Sequence, residues 1–182
     1  MARALCALLL LALAGCSSPP PPDHDYPMGP LTFAVRGSSL HGTIPAGWFV
    51  PASDTLTPAL DAWLVREDFS ASISLREISP DAESRRRIAK EGMILLASMS
   101  MAFRDAGTII PPSAPPSVFR IHEREFGRYE TDNSGCLGAV VVFTHGGKYY
   151  ECEARQHKQG LGEEDMAQLR RAQLAVLFSL VE

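Results

Sequence analysis

The chain has 182 residues, 46% of them hydrophobic and 21% charged, the size and mix of one globular domain with extensions, which excludes wholesale disorder. Seventeen Lys and Arg stand against 21 Asp and Glu, a formal −4 at pH 7, and this mild acidity argues against a nucleic-acid binder, which needs a basic excess. No apolar run reaches the 18 or so residues of a membrane-spanning helix, so a polytopic membrane protein is not expected.

Arg3 supplies an early positive charge, and Ala4 to Ala14 (ALCALLLLALA) is an apolar stretch too short to cross a bilayer but suited to a signal-peptide core. Leu13-Ala14-Gly15-Cys16 ends it, followed by Ser17-Ser18 and four prolines. This run resembles the lipobox of bacterial lipoproteins. The resemblance implies a removed signal peptide over 1–15 and fatty acylation of Cys16. Each buried methylene contributes roughly 0.8 kcal/mol and one chain binds only marginally, so two or three chains would tether the protein durably. Ser17 stands where Asp would imply inner-membrane retention, so the resemblance implies the periplasmic face of the outer membrane. Loss of the signal removes Arg3 and leaves 16 basic against 21 acidic side chains.

Residues 16–30 read as the lipidated cysteine and a tether. Ser17 to Pro30 holds six of the 14 prolines without apolar periodicity, a composition that favours extended, polyproline-like chain. Asp23-His24-Asp25 carries metal-ligating types but no scaffold, and reads as solvated linker.

From Leu31 to the end, residues 31–182, the pattern is globular. Leu31 to Val35 and His41 to Ile44 read as strands around Gly37-Ser38-Ser39, and Trp48-Phe49-Val50 follows the turn Pro45-Ala46-Gly47. Ala62 to Val65 and Ala71 to Ile78 are two more; in the second, Ala71, Ile73 and Leu75 alternate with Ser72, Ser74 and Arg76. A long helix follows, with Ser79 as cap, Pro80 in its first turn and a stripe of Ile88, Gly92, Leu95, Met99 and Phe103. Arg85, Arg86, Arg87 and Lys90 read as its solvated face. Val118 to Glu123 and Glu125 to Thr131 are strand candidates, and Gly138 to Phe143 and Lys148 to Ala154 flank a glycine hairpin turn at Gly146-Gly147. Met166, Leu169, Ala172, Val176 and Leu180 mark a closing helix behind the acidic entrance Glu163-Glu164-Asp165. Strands in runs predict an α+β fold, a mostly antiparallel sheet packed by a long central helix and a C-terminal helix.

Ile44-Pro45-Ala46-Gly47-Trp48, then Ala71-Ser72-Ile73-Ser74-Leu75, a long helix, strands ending at Tyr149-Tyr150 and a terminal helix resemble the PsbP-like superfamily, which includes DcrB-type envelope lipoproteins. The resemblance implies a domain that binds other proteins, and brings no catalytic residues with it. Pro45 and Trp48 match a motif read as structural, the tryptophan filling the core.

Cys6 leaves with the signal and Cys16 carries lipid, so Cys136 and Cys152 remain in a compartment that oxidises thiols, where a disulfide is the default. Closing a loop of about 15 residues would stabilise by roughly 3 kcal/mol. With Gly146-Gly147 at the hairpin tip, however, Cys152 faces Val140 or Val141. The bond then needs a fold-back, a bulge, or else both thiols stay free.

The expected function is a lipid-anchored envelope module that binds another envelope protein, without catalytic residues, cofactor, metal or nucleic acid. The rival is a small envelope hydrolase or thiol enzyme using Cys136 and His145. Glu151 and Glu153 share one strand face as paired carboxylates do, and a solvent-facing side explains them equally. His41, His122 and His157 are scattered. Capture of a small apolar ligand between sheet and helix is neither favoured nor excluded.

Overall fold

The computed structural model describes residues 22–52, 58–105, 114–121, 123–133, 135–160 and 162–181. The signal segment, the lipobox with Cys16, the first part of the tether (to residue 21), and His122 lie outside the described residues.

A seven-stranded antiparallel sheet carries the domain. Its order is β3 (Trp48–Phe49), β4 (Ala62–Arg66), β5 (Ala71–Ile78), β9 (Lys148–Gln156), β8 (Cys136–His145), β7 (Arg124–Asn133) and β6 (Ser117–Ile121). A separate two-stranded sheet pairs β1 (Met28–Ala34) with β2 (His41–Pro45). Helices α1 (Ala82–Glu91) and α2 (Met93–Asp105) cover one face of the large sheet; α3 (Glu163–Ser179) and the small sheet cover the other. This is the α+β architecture the runs of strands predict.

Period-two alternation sorts the side chains. Ile73 and Leu75 of β5, Tyr150 and Cys152 of β9, and Val141 and Phe143 of β8 point to α3, meeting Leu169, Val176 and Leu177. Trp48 is buried in this core and donates its indole N–H to the Tyr26 hydroxyl at 3.2 Å. The smaller core on the other face joins Tyr129, Val140 and Val142 to Ile88, Met93, Leu96 and Ala97.

Three local features differ from the sequence reading. β1 starts at Met28 rather than Leu31, and opposite Pro45. Pro30 conceals it, because a proline breaks a strand pattern yet is tolerated in an edge strand. Further back, His24 stacks on Phe178 at 3.7 Å and Asp23 lies 3.9 Å from Arg171, so the end of the tether runs over α3.

The long helix is two helices. Asp81, not Ser79, caps α1, accepting the Ser84 N–H at 2.7 Å. Gly92 ends it at φ 80°, a conformation natural only to glycine. The break resets the helical phase, so α2 buries Met93, Leu96, Ala97 and Ser100, and Phe103 faces out.

No disulfide forms; Cys136 and Cys152 are free. The tight turn at Gly146 and Gly147, with φ 55° and 75°, sets Cys152 opposite Val141. Cys136 lies five positions further along β8, about 16 Å away, beyond the roughly 7 Å that a disulfide allows. The expected cross-link is therefore corrected.

Candidate functional site

Charge gathers at one place inside the domain, where α2 crosses the middle of the sheet. The β5–β9 register puts Arg76 opposite Glu151 and Ser74 opposite Glu153. From above, α2 brings down Ser100 and Arg104, four residues apart and so on one side of the helix. The helix can come this low because Gly127 lies beneath it: a Cβ there would meet the Met93 carbonyl oxygen at 2.5 Å and the Ala97 methyl at 2.8 Å.

Glu151 is 1% exposed and saturated with donors. One carboxylate oxygen accepts from Arg76, Nε at 3.0 Å and Nη2 at 2.9 Å, and from Arg104. Its other oxygen accepts from the Ser100 hydroxyl, which also contacts the Tyr129 hydroxyl at 2.8 Å. Arg104 reaches Glu153 with its other terminal nitrogen at 2.9 Å. Burial alone would raise the Glu151 carboxyl, but Arg104, Ser100 and Arg76 outweigh it and hold the group below its ordinary value. Burial and the neighbouring Glu151 push the Tyr129 phenol up, so it stays neutral. Burial works against the Arg104 charge, and Glu153 and Glu151 more than restore it.

This chemistry clamps. A carboxylate fixed between two guanidinium groups has no proton to give near neutrality, and its lone pairs are already occupied. The solvent-facing reading of this carboxylate pair is thus corrected for Glu151, whereas Glu153 stays partly exposed.

The remaining candidates are spread out. Cys136 and His145 occupy opposite ends of β8, nine residues and about 30 Å apart, so the thiol–imidazole pair is not assembled. Cys152 is wholly enclosed, and burial pushes its thiol up, away from the nucleophilic thiolate. One pairing escaped the sequence reading: His157 and the Ser72 hydroxyl are 2.8 Å apart at the open end of the sheet. Burial, then Arg155, lowers the His157 pKa. Among the described residues no cluster of His, Cys, Asp or Glu is arranged to hold a metal. Two open grooves flank the sheet, one beside Arg128 and Gln173, the other between Leu31 and Trp63. No helix among the described residues is long and apolar enough to cross a membrane.

No family model matches the sequence, and no curated protein matches it. Among solved structures, the chain is similar to the cyanobacterial PsbP protein CyanoP from Synechocystis sp. PCC 6803, at 11% identity and a TM-score of 0.57, covering 83% of this chain and 91% of that one. At this identity the likeness is one of fold, and the fold is PsbP-like. LpqN, involved in cell envelope biogenesis of Mycobacterium tuberculosis, aligns at 12% identity and a TM-score of 0.46, over 89% of this chain and 90% of its own. A Bacteroides thetaiotaomicron protein aligns at 11% identity and a TM-score of 0.45, over 82% of this chain and 47% of its own.

Proposed function

We propose that this PsbP-like domain is the working end of a bacterial lipoprotein, fixed by acyl chains on Cys16 to the periplasmic face of the outer membrane and acting as a non-catalytic module that binds another envelope protein. The observation that carries the reading is the adjacency of two signals. Leu13-Ala14-Gly15-Cys16 ends a signal-like core, and chain packed onto the domain is reached by Asp23, only seven residues after Cys16. A domain so close to its anchor works beside a membrane surface.

The interior favours binding over chemistry. Its buried charged groups are engaged with one another around Glu151, so contacts with other molecules fall to the outer surface. Cys16→Ser in the native host tests the anchor: palmitate label should disappear and the protein should move to the soluble fraction. Unchanged label and fractionation would refute the lipoprotein reading.

A further inference from the structure

Tyr150 carries a buried polar atom that nothing satisfies: the side chain is 1% exposed, and its hydroxyl meets no hydrogen-bond partner. Burying a hydroxyl unpaired is costly, and phenylalanine would fill the same space without that cost. Stacking on Phe143 at 5.4 Å accounts for the ring and leaves the oxygen unexplained.

The oxygen belongs to a place where two turns meet. Lys148 follows the β8–β9 turn, and its ammonium donates to the Gly37 carbonyl at 3.1 Å, in the loop joining β1 to β2, and to the Glu77 carboxylate at 2.7 Å. Between the turns lies a cup of about 470 Å³, lined by Gly37, Ser38, Ser39, Gly146, Lys148 and Tyr150. A Cβ built on Gly37 or Gly146 would meet nothing within 4 Å, so the mouth is open. Glu77, through its hydrogen bond, holds the Lys148 ammonium above its ordinary pKa, and the Tyr150 phenol is close enough to add to the effect. The unpaired oxygen therefore sits at the Lys148 end of the cup.

The chemistry of the wall selects a ligand class. Glu77 cancels the Lys148 charge and Asp61 acts on the same ammonium, so a free anion would meet carboxylates and a free cation would meet Lys148. What remains is a mixture of donors and acceptors. Tyr150 has a proton to give, and so has the third position of the ammonium. The Ser38 hydroxyl accepts from the Leu40 N–H at 3.0 Å and keeps its own proton free to donate, and the exposed Ser39 hydroxyl can do either. Glu77 and the Gly37 carbonyl accept. Donors and acceptors interleaved without net charge match hydroxyl groups, each of which both donates and accepts.

We propose that this cup binds one residue of an uncharged sugar, with a sugar hydroxyl accepting from the Tyr150 phenol and the neighbouring hydroxyls shared among Lys148, Glu77 and the two serines. The Lys148 arm, 43% exposed on a flexible stem, yields to admit the sugar. The site is independent of the anchor on Cys16 and adds a small ligand to the protein-binding reading.

The test follows the backbone amide signals of the full chain while glucose, galactose and N-acetylglucosamine are added in turn, with acetate and inorganic phosphate as the anion arm. At least one sugar should shift Gly37, Ser38, Ser39 and Gly146 saturably, and neither anion should. Tyr150→Phe removes the oxygen alone: binding should weaken about tenfold, one hydrogen bond's worth, while the melting temperature stays level or rises. Ser39→Trp fills the cup from its exposed rim and should abolish the shifts. No shift with any of the three sugars, the same shifts with acetate or phosphate, or sugar binding that survives Tyr150→Phe or Ser39→Trp overturns the site. A lower melting temperature in Tyr150→Phe overturns it as well, because the hydroxyl would then serve the fold.

Discussion

On one face of the sheet α3 is pinned by a neutral side chain: the Gln173 amide donates to the backbone carbonyls of Ala139 and Cys152 at 2.9 and 2.8 Å. On the other face α2 is pinned by charge, with Arg104 and Ser100 converging on Glu151 beside Arg76. The difference follows from the apolar area available. α3 buries Met166, Leu169, Ala172, Leu174, Val176 and Leu177 in the larger core, and one amide suffices to fix its register. α2 buries three apolar side chains in a smaller core and packs Leu95, Met99 and Met101 against it only partly covered, so its position depends more on a polar cluster. Buried ion pairs add little net stability over apolar packing, but they disfavour alternative placements, because a displaced α2 takes Arg104 and Ser100 away from the buried Glu151 and leaves it Arg76 alone. The α3 face therefore supplies most of the stability, and the α2 face supplies a positioned, more easily opened layer.

Phe143→Ala attacks the stronger face. The ring is 2% exposed and lies 5.7 Å from Phe126 and 5.4 Å from Tyr150. Its loss should cost about 3–5 kcal/mol and lower the urea midpoint of the whole domain in one transition. Separate melting of the two layers would contradict a shared sheet core.

Glu151→Gln attacks the weaker face. It leaves Arg104 facing a neutral group, whereas Arg76, 41% exposed, can turn to water, so about 3 kcal/mol is expected at neutral pH. Hydrogen exchange should accelerate in α2 before α3. The pH dependence has a definite sign. Glu151 titrates near 4.5 in the unfolded chain and lower in the folded one, so its contribution is complete above 4.5 and is lost as pH falls through the folded value. The stability gap between native chain and variant should therefore narrow when urea titrations are repeated well below pH 4.5. A constant gap would mean that the charge of Glu151 is not what holds α2.

Gly127→Ala tests the contact without touching the charges. The added methyl meets the Met93 carbonyl and the Ala97 methyl below normal separation, which lifts α2 and should cost about 1–3 kcal/mol. Exchange protection should fall in α2 with α3 unaffected.

Much of this was legible in the chain. The alternation of Ala71, Ile73 and Leu75 and the Gly146-Gly147 turn placed the central strands, because both signals are local. Glu151 was not legible. A carboxylate between Tyr150 and Cys152 has the pattern of a solvent-facing position, and its partners Arg104, Ser100 and Arg76 lie 47, 51 and 75 residues away. The helix break at Gly92 was hidden for the opposite reason. Glycine fits the apolar stripe in sequence, and only its positive φ reveals that it ends one helix. Ser72 and His157 are 85 residues apart and meet only through the β5–β9 pairing.

The smallest expected effect concerns the thiols. Cys136 is partly exposed at the start of β8, where a serine fits without loss of packing, so Cys136→Ser should change stability by no more than about 0.5 kcal/mol. A disulfide to Cys152 would instead make the same change cost about 3 kcal/mol. Alkylation in denaturant without reductant gives the independent reading, with both thiols of the domain expected to react. The two outcomes are far enough apart to test the hairpin register itself. A bonded pair would require Cys152 to leave its place opposite Val141, and with it Glu151 would leave the face under α2.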